Sequence, residues 1–253
     1  AYGAVKKEQE AADDWPTYRH DALRSGTTDA EVPAKLATAW QTEIGKGLTS
    51  PVATDEMVIV CSKANHRVVA LDAEDGAENW SFTPGGPVDT PPTLHEGLVL
   101  FGCGDGHVYC LRASDGALVW RFRAAPQDRR TLDCEQLESV WPVHGSVLVL
   151  DGVAYVSAGR STYLDGGIRL YGLAPQTGRV LYRKHFRSEH GDLEDLLKRK
   201  DELNKKPKEL GQNIVADWRT FGAPDRADAF HMAGGALNDV LTSDGQSIYM
   251  KHE

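Results

Sequence analysis

The middle of the chain carries charged side chains that could bind a polar ligand or a partner protein. Seven of them fall between positions 129 and 165: Arg129, Arg130, Glu135, Glu138, His144, Arg160 and Asp165. Guanidinium and carboxylate groups on loops suit the recognition of a carbohydrate-like ligand or of a partner loop. Two other interpretations stay open, namely mutual salt bridges and simple solvation.

The chain also contains four cysteines, Cys61, Cys103, Cys110 and Cys134. Four cysteines allow three disulfide connectivities, and the sequence does not choose among them. Antiparallel pairing about the Asp105-Gly106 turn places Cys103 opposite Val108, so a bond to Cys110 needs a bulge. A metal site that uses Cys103, His107 and Cys110 lacks the paired, closely spaced ligands of structural zinc sites. We therefore expect buried small residues or disulfides, and no metal.

Several classes of function find no support in the sequence. It has no nucleophile elbow, phosphate loop or His-Glu-x-x-His motif, so hydrolase and nucleotide chemistry are not indicated. The 28 basic and 37 acidic residues give a net charge of -9, which disfavours nucleic acid as a partner. The apolar runs are the length of strands, and none approaches the roughly 18 residues that span a bilayer.

Aromatic residues recur at a fixed period. Trp40, Trp80 and Trp120 are 40 residues apart, and the segments 70–80 and 110–120 are alike. A third copy at 172–182 has Tyr182 in the position of the tryptophan. In each copy a strand-like run is followed by a turn with Gly76, Gly116 or Gly178 and then by an outer strand, which predicts a hairpin.

A second pair of strand-like runs precedes each of these hairpins, for example 57–61 and 67–71. Four short antiparallel strands in about 40 residues are typical of a propeller blade. The sequence therefore predicts an all-β fold, a β-propeller of four-stranded antiparallel blades. It predicts about three and a half blades, so that the ring is incomplete in this chain.

The repeated pattern Ala-x-Asp-x-x-Thr/Asp-Gly-x-x-x-Trp resembles the tryptophan-docking motif of the quinoprotein-like propellers, whose repeat is named for pyrroloquinoline quinone. The resemblance covers 40–182, with a weaker echo at 236–250, and 14–21 is similar to the segment that precedes the first blade in that family. It implies that each tryptophan packs between neighbouring blades and that each glycine makes the docking turn. It also implies that the remaining blades are absent from the chain, cleaved from it or supplied by a second chain.

This interpretation divides the chain into four parts. Residues 1–39 are an N-terminal segment, and 40–186 form blades 1 to 3. The charged residues 187–228 contain leucines near helical spacing and predict a short helical insertion. Residues 229–253 begin a fourth blade.

Two departures from the repeat mark the expected binding face. The connection after Trp120 is about 15 residues longer than its counterpart in the preceding blade, giving an insert at about 121–145, and 159–167 lengthens a turn of the third blade. Both connection types emerge on the same side of a four-stranded blade, so we expect them to cluster. Loops held by a rigid scaffold are where binding sites are often found.

The resemblance implies an exported bacterial protein, periplasmic or extracellular, with its signal peptide removed. It favours a binding platform for a protein or polymer, similar in role to an outer-membrane assembly lipoprotein with the same repeat. The alternative is a quinoprotein oxidoreductase that holds pyrroloquinoline quinone with calcium. The chain lacks the adjacent cysteines of the alcohol-oxidising branch and a compact acidic cluster, so we expect no cofactor, and catalysis by this chain is left open.

Overall fold

The computed structural model describes residues 11, 13–32, 34–133, 135–162, 164–187 and 240–250. Within them lie three four-stranded antiparallel sheets and two two-stranded sheets, and each strand pairs with its neighbour in sequence. The predicted class, an all-β fold of four-stranded antiparallel propeller blades, is confirmed. The proposed helical insertion at 187–228 lies outside the described residues, apart from Arg187.

The strands follow the order of the chain. Blade 1 contains β1 to β4, at Val52–Ala53, Met57–Ser62, Arg67–Asp72 and Glu78–Phe82. Blade 2 contains β5 to β8, at Thr93–His95, Leu98–Gly102, His107–Arg112 and Leu118–Arg123. A separate hairpin, β9 and β10, follows at Arg130–Asp133 and Gln136–Ser139. Blade 3 contains β11 to β14, at Leu148–Leu150, Val153–Ala158, Ile168–Leu173 and Val180–Phe186, and a last hairpin, β15 and β16, spans Thr242–Ser243 and Ile248–Tyr249.

Blade 2 shows why these sequences form blades with two covered faces. All five residues of β6, Leu98–Gly102, are buried. Because successive side chains point to opposite faces of a strand, Val99 and Phe101 belong to the core shared with blade 1. Leu98 and Leu100 belong to the core shared with blade 3. The continuous apolar run of β6 is therefore explained by a sheet that is packed on both sides.

The N-terminal segment runs across the inner strands of the blades. Trp15 exchanges two backbone hydrogen bonds with Ala53 of β1, at 2.8 and 3.0 Å. The carbonyl of Pro16 accepts a hydrogen bond of 2.7 Å from the backbone N–H of Leu94 in β5. The guanidinium of Arg24 donates to the carbonyl of Val147, next to β11, at 3.5 Å. This segment thus ties the three blades together near the propeller axis.

The outer hairpins of the three blades have the same register irregularity. The pairing of the third strand with the fourth shifts by one residue at Ala70/Leu71, Cys110/Leu111 and Gly172/Leu173. Immediately before each shift a small residue lies opposite the repeat aromatic, in the pairs Ala70↔Trp80, Cys110↔Trp120 and Gly172↔Tyr182. A bulge at this point strengthens the local twist, and the small partner leaves room for the large ring.

The register expected for Cys103 is wrong by one residue. Gly102, not Cys103, pairs with Val108, because the backbone N–H of Cys103 closes a longer turn by bonding to the carbonyl of His107 at 3.0 Å. Three thiols are free and buried, those of Cys61, Cys103 and Cys110. For these three the interpretation as buried small residues is confirmed, and Cys134 lies outside the described residues.

The last described segment packs against blade 3. Leu241 is buried in a cluster with Leu148 and Leu170, and its carbonyl accepts a hydrogen bond of 3.1 Å from Arg24. The β15–β16 hairpin falls within the range predicted for the start of a fourth blade, whose boundaries stay a prediction. In the part of the chain that the structure describes, no helix has the length and apolar character needed to cross a membrane.

Candidate functional site

The repeat tryptophans dock onto the glycine turns between the third and fourth strands, at 73–77, 113–117 and 174–179, here called the docking turns. Trp80 donates its indole N–H to the carbonyl of Ala113 in the next blade, at 2.7 Å. Gly116 has φ +68°, and a Cβ at this position would lie 2.6 Å from the indole. Only glycine combines the left-handed backbone with so close an approach of the ring.

The other two dockings have the same form. Trp40 donates to Ala73 at 3.0 Å and Trp120 to Pro175 at 2.7 Å, while Gly76 and Gly178 hold φ +72° and +67° against their rings. Trp80 is buried, whereas Trp40 and Trp120 are partly buried. Tyr182 is 44% exposed on β14, the outer strand of blade 3.

The opposite ends of the blades carry the middle turns and the connections between blades. We call this end the loop face, made of 63–66, 83–92, 103–106, 124–147 and 159–167. Backbone hydrogen bonds join the segments of the loop face to one another. Gly104 donates to Pro87 at 2.8 Å, Val143 donates to Cys103 at 3.1 Å and Gly159 donates to Pro142 at 3.0 Å, the last joining the long insert to the long turn.

His144 lies between two carboxylates on the loop face. Its Nδ1 is 2.5 Å from Oδ2 of Asp89, and its Nε2 is 3.5 Å from Oε2 of Glu138. An ionised carboxylate only accepts hydrogen bonds, so Nδ1 carries a proton and donates it to Asp89. His144 thereby connects the β4–β5 connection to the inserted segment.

Two permanent cations complete this arrangement. Nζ of Lys63 lies 2.6 Å from Oδ1 of Asp89. Nη2 of Arg160 lies 3.2 Å from Glu138 and 3.5 Å from Asp133. The six residues form what we call the loop-face ion network: Lys63, Asp89, Asp133, Glu138, His144 and Arg160. They come from blades 1 and 3 and from both connections, so the network joins elements far apart in sequence.

The two carboxylates beside His144 differ in acidity. Burial alone would raise the pKa of Asp89, but the hydrogen bonds and charges of His144 and Lys63 outweigh it and lower the pKa to about 2. Burial raises the pKa of Glu138 above its ordinary value; Asp89 adds to that rise, and His144 opposes it. The ionised form is therefore less favourable for Glu138 than for Asp89.

A second cluster holds the base of the insert. The guanidinium carbon of Arg129 lies 5.4 Å from the ring centroid of Trp141, and Arg129 also pairs with Asp165 at 3.0 Å. Trp141 donates its indole N–H to the carbonyl of Asp165 at 2.8 Å. The buried Trp141 thus fixes the insert to the long turn of blade 3.

The β9–β10 hairpin extends from this base and exposes apolar side chains. Leu132 and Leu137 pair directly across the two strands, and they are 76% and 52% exposed. Two of the charged candidates lie on the same hairpin: Arg130 is 3.8 Å from Asp128, and Glu135 is exposed. The outer strand β14 also exposes Val180 and Leu181, at 40% and 46%, so the leucine pair is set apart by its place on an inserted hairpin of the loop face.

The structure brings some of the sequence candidates together. Glu138, His144 and Arg160 meet in the ion network, and Arg129 meets Asp165. Arg130 and Glu135 stand apart on the hairpin. The buried Glu138 faces other residues of the chain rather than solvent.

Sequence reasoning missed four residues of the loop face: Lys63, Asp89, Leu132 and Leu137. Asp89 could have been found, because it occupies the same type of connection between blades as His144. The leucines could also have been found, because they fall inside the insert. The sequence candidates were charged side chains of the insert and of the 159–167 turn, and apolar residues were not among them.

The three thiols that the structure describes offer no nucleophile. Burial raises the pKa of Cys61 to about 12, and burial likewise raises the pKa values of Cys103 and Cys110 far above the ordinary range of a thiol. Since the thiolate is the reactive form, all three are inert at neutral pH.

The residues around His144 do not fit calcium, the ion that the quinoprotein alternative requires. Among the described residues, Asp89, Glu138 and His144 are the only group whose possible ligand atoms lie within 4.8 Å of one another. Calcium takes six to eight oxygen ligands. Here two carboxylates already face Lys63 and Arg160, and the third group is an imidazole. The carboxylates are thus engaged in ion pairs within the chain, and we assign no metal ligand to the arrangement.

A cavity of about 430 Å³ lies beside the N-terminal segment, at the end of the blades opposite to the loop face. Its walls include His20, Arg24, His95 and Asp151. Arg24 is buried, and burial lowers its pKa to about 10. Its guanidinium donates to the carbonyls of Tyr18 and Leu241, at 2.9 and 3.1 Å, so it acts as a structural tie.

The structure repeats a four-stranded sheet, joins neighbouring sheets through a docked tryptophan, and gathers its irregular polar loops at one end. These features define a repeat propeller. A family profile described as "Outer membrane protein assembly factor BamB" matches residues 32–199, more than half of the chain. The chain therefore belongs to this family, whose members have the repeat of the quinoprotein-like propellers.

Individual relatives are more distant. The chain is 24% identical over 230 residues to the outer membrane protein assembly factor BamB of Yersinia pestis, covering 83% of this chain and 55% of that protein. It is 32% identical over 104 residues to BamB of Escherichia coli, and the match covers 35% of this chain and 26% of that protein. It is 31% identical over 117 residues to a polyvinylalcohol dehydrogenase of a Pseudomonas species, covering 40% and 18%. The chain thus spans about half the length of the first of these relatives, and less of the others.

Solved structures with the same fold include a quinohemoprotein alcohol dehydrogenase of Comamonas testosteroni, with a TM-score of 0.63 and 20% identity. The match covers 94% of this chain and 35% of that one. A second structure, the quinohemoprotein alcohol dehydrogenase ADHIIG of Pseudomonas putida HK5, has a TM-score of 0.63 and 16% identity. The match covers 95% of this chain and 34% of that one. At such identities the likeness shows the fold alone.

Proposed function

We propose that this chain is part of an exported propeller that binds a protein partner through its loop face, with the β9–β10 hairpin as the main contact. The observation that carries the proposal is the exposed cross-strand pair of Leu132 and Leu137 on an inserted hairpin. Contiguous exposed apolar groups with a polar rim commonly mark interaction sites on soluble proteins.

The surroundings of the hairpin support this role. Arg130, Asp133 and Glu135 surround the leucines with exposed charges of both signs, which suits an interface with an apolar centre and a polar rim. Trp141 and Glu138 anchor the base by buried contacts, so the hairpin is presented on a rigid support. A partner would therefore meet a surface that needs little ordering on binding.

The class of partner is proposed from the family. Curated relatives are named outer membrane protein assembly factors, and we propose that this chain likewise serves a protein assembly outside the cytoplasm. A polymer partner is the second outcome to be tested. The quinoprotein oxidoreductase alternative rests on shared fold, and no observation among the described residues favours it.

Replacing both leucines tests the proposal. We expect the double variant Leu132→Ser/Leu137→Ser of the full-length protein to lose at least tenfold in partner binding while its unfolding midpoint in urea stays unchanged. The matched control is Leu23→Ser/Leu36→Ser, which alters two leucines that are 60% and 78% exposed outside the loop face. Partner binding is read by a photo-crosslinking residue at position 130, an exposed position of the same hairpin that neither double variant changes, in the native host, followed by identification of the adduct.

Equal crosslinking yields for the two double variants would contradict the proposal. Adducts that resist protease but are removed by polysaccharide hydrolases would indicate the polymer instead.

A further inference from the structure

We propose that His144 is a proton-sensitive latch that fixes the β9–β10 hairpin to the propeller at mildly acidic pH and loosens it as the pH rises. The latch joins Glu138, within β10, to the β4–β5 connection through a single imidazole ring. As a regulator of partner access, it rests on the function proposed for the hairpin.

The charges of the network are balanced only when His144 is protonated. Asp89, Asp133 and Glu138 contribute three negative charges, and Lys63 and Arg160 contribute two positive ones. These five groups come from every element packed around the ring: the β2–β3 turn, the β4–β5 connection, β9, β10 and the β12–β13 turn. A proton on His144 supplies the missing positive charge.

The geometry assigns that proton to one atom. Nδ1 of His144 already donates to Asp89, so the proton that comes and goes is the one on Nε2, facing Glu138 at 3.5 Å. When Nε2 is protonated, it donates toward the carboxylate of Glu138. When it is not, its lone pair faces a carboxylate that only accepts, and the contact becomes repulsive.

The burial of Glu138 makes this contact matter for the hairpin. Its side chain is only 4% exposed, whereas that of His144 is 27% exposed. A buried carboxylate that loses one hydrogen-bonded, positively charged partner raises the free energy of the folded protein. The raised pKa of Glu138 agrees with a carboxylate that lacks full compensation. Glu138 pairs with Thr131 of β9, so movement of Glu138 carries both strands.

The direction with pH follows from the sign of the charge. Histidine changes charge between pH 5 and 8. The contact with Glu138 is made by the protonated ring, so its stabilising effect is present at low pH and is lost as the pH rises and the ring loses its proton. The hairpin is therefore held more firmly at pH 5.5 than at pH 8.

Amide hydrogen exchange of the intact protein, without any partner, tests the latch. The reporters are the N–H groups of Ser139 and Val140, which bond to Gly104 and Arg129 at 2.7 and 2.9 Å. We expect their protection, corrected for the intrinsic rate at each pH, to fall about tenfold from pH 5.5 to pH 8, the order of effect of losing one hydrogen bond to a charged group. The N–H of Gly116 in a docking turn serves as the internal reference and should not change.

Two variants should remove the pH dependence in opposite directions. His144→Gln keeps both hydrogen-bonding ends but cannot be charged, so protection should stay at the high-pH level throughout. Glu138→Gln removes the surplus negative charge, so protection should stay at the low-pH level throughout. His95→Gln, which changes a histidine at the other end of blade 2, should behave as wild type.

A wild-type protein with no pH dependence, or a His144→Gln variant that keeps it, would overturn the latch. Its failure is separable from failure of the proposed function, because exchange is measured without a partner. If the latch exists and the partner uses the hairpin, partner binding should change between pH 5.5 and pH 8 in wild type but not in Glu138→Gln.

Discussion

The docking turns at one end of the blades repeat a single arrangement, whereas the loop face at the other end differs from blade to blade. Each docking turn has a glycine with φ between +67° and +72° beneath an indole that donates to a backbone carbonyl. The loop face has four-residue turns at 63–66 and 103–106, but a long turn and an insert around blade 3. The repeated end is explained by packing between blades, and the irregular end is where we propose that a partner binds.

The interactions at the two ends also differ in kind. Docking depends on an apolar ring, a glycine and one hydrogen bond per blade, and none of these changes charge with pH. The loop face depends on ion pairs and on His144. Stability should therefore respond most to changes in the docking turns, while pH and partner binding should respond most to changes in the loop face.

Emptying a docking site should have the largest effect. We expect Trp80→Ala to lower the free energy of unfolding by about 3–5 kcal/mol, because it removes a buried indole and leaves a cavity between two blades. Urea denaturation followed by circular dichroism measures it. Trp80→Phe, which keeps a ring but no N–H donor, should lose less. A loss below about 1 kcal/mol for Trp80→Ala would mean that docking does not hold the blades together.

A methyl group added beneath the indole should have the next largest effect. Gly116 and Gly152 have similar φ values of +68° and +71°, but a Cβ on Gly116 would lie 2.6 Å from Trp80, while Gly152 has open space within 4 Å. We expect Gly152→Ala to cost about 1–2 kcal/mol for the backbone alone. Gly116→Ala should cost roughly 2 kcal/mol more through overpacking. Equal losses in urea denaturation would leave backbone strain as the whole explanation.

A smaller effect should come from the loop face and should depend on pH. Burial alone would raise the pKa of Asp105, but the hydrogen bonds from His107 and Tyr109 outweigh it and lower the pKa to about 2. A carboxylate whose pKa is lowered on folding stabilises the fold above its unfolded pKa, and this stabilisation is lost as the pH falls from about 4 to 2. We expect Asp105→Asn to cost about 2 kcal/mol at pH 7.

Acid titration of the variants checks that prediction. The urea midpoint of Asp105→Asn should be less sensitive to pH between 4 and 2 than that of wild type. Asp115→Asn, which changes an exposed partner of Arg112 in a docking turn, should behave nearly as wild type at every pH, because exposed pairs contribute little. If the urea midpoint of Asp105→Asn changed with pH as in wild type, the hydrogen bonds of Asp105 would not explain the acid sensitivity of the fold.

The blades could be predicted from the sequence because the signals that specify them are local. An Asp-Gly or Thr-Gly turn needs a positive φ whatever surrounds it, and an apolar run between two turns forms a strand. Trp80 and Gly116 are 36 positions apart, but the repeat itself shows that they are neighbours. The register at Cys103 was less predictable, because one extra residue in the turn changes every pairing, and β6 is buried on both faces, so its hydrophobic pattern does not select one register.

The candidate site was predictable only in outline. The extra length of the insert and of the 159–167 turn indicated which face to inspect, and five of the seven charged candidates meet in two clusters there. The pairing of His144 with Asp89 was not predictable, because the two are 55 positions apart and belong to no repeated motif. Leu132 and Leu137 could be located in the insert, but their exposure was not predictable, because a short insert can bury or expose its apolar residues equally well.

The sequence by itself determined the blade repeat, its docking glycines and aromatics, and the side on which the repeat is interrupted. Each of these follows from backbone sterics or from a periodic pattern of apolar residues. Only the tertiary structure decided which charges meet, that Glu138 is buried while Leu132 is exposed, and that His144 bridges two carboxylates. The physical reason is that charges carry no periodic signal. Their partners are set by which loops the packed blades bring within a few ångströms of one another.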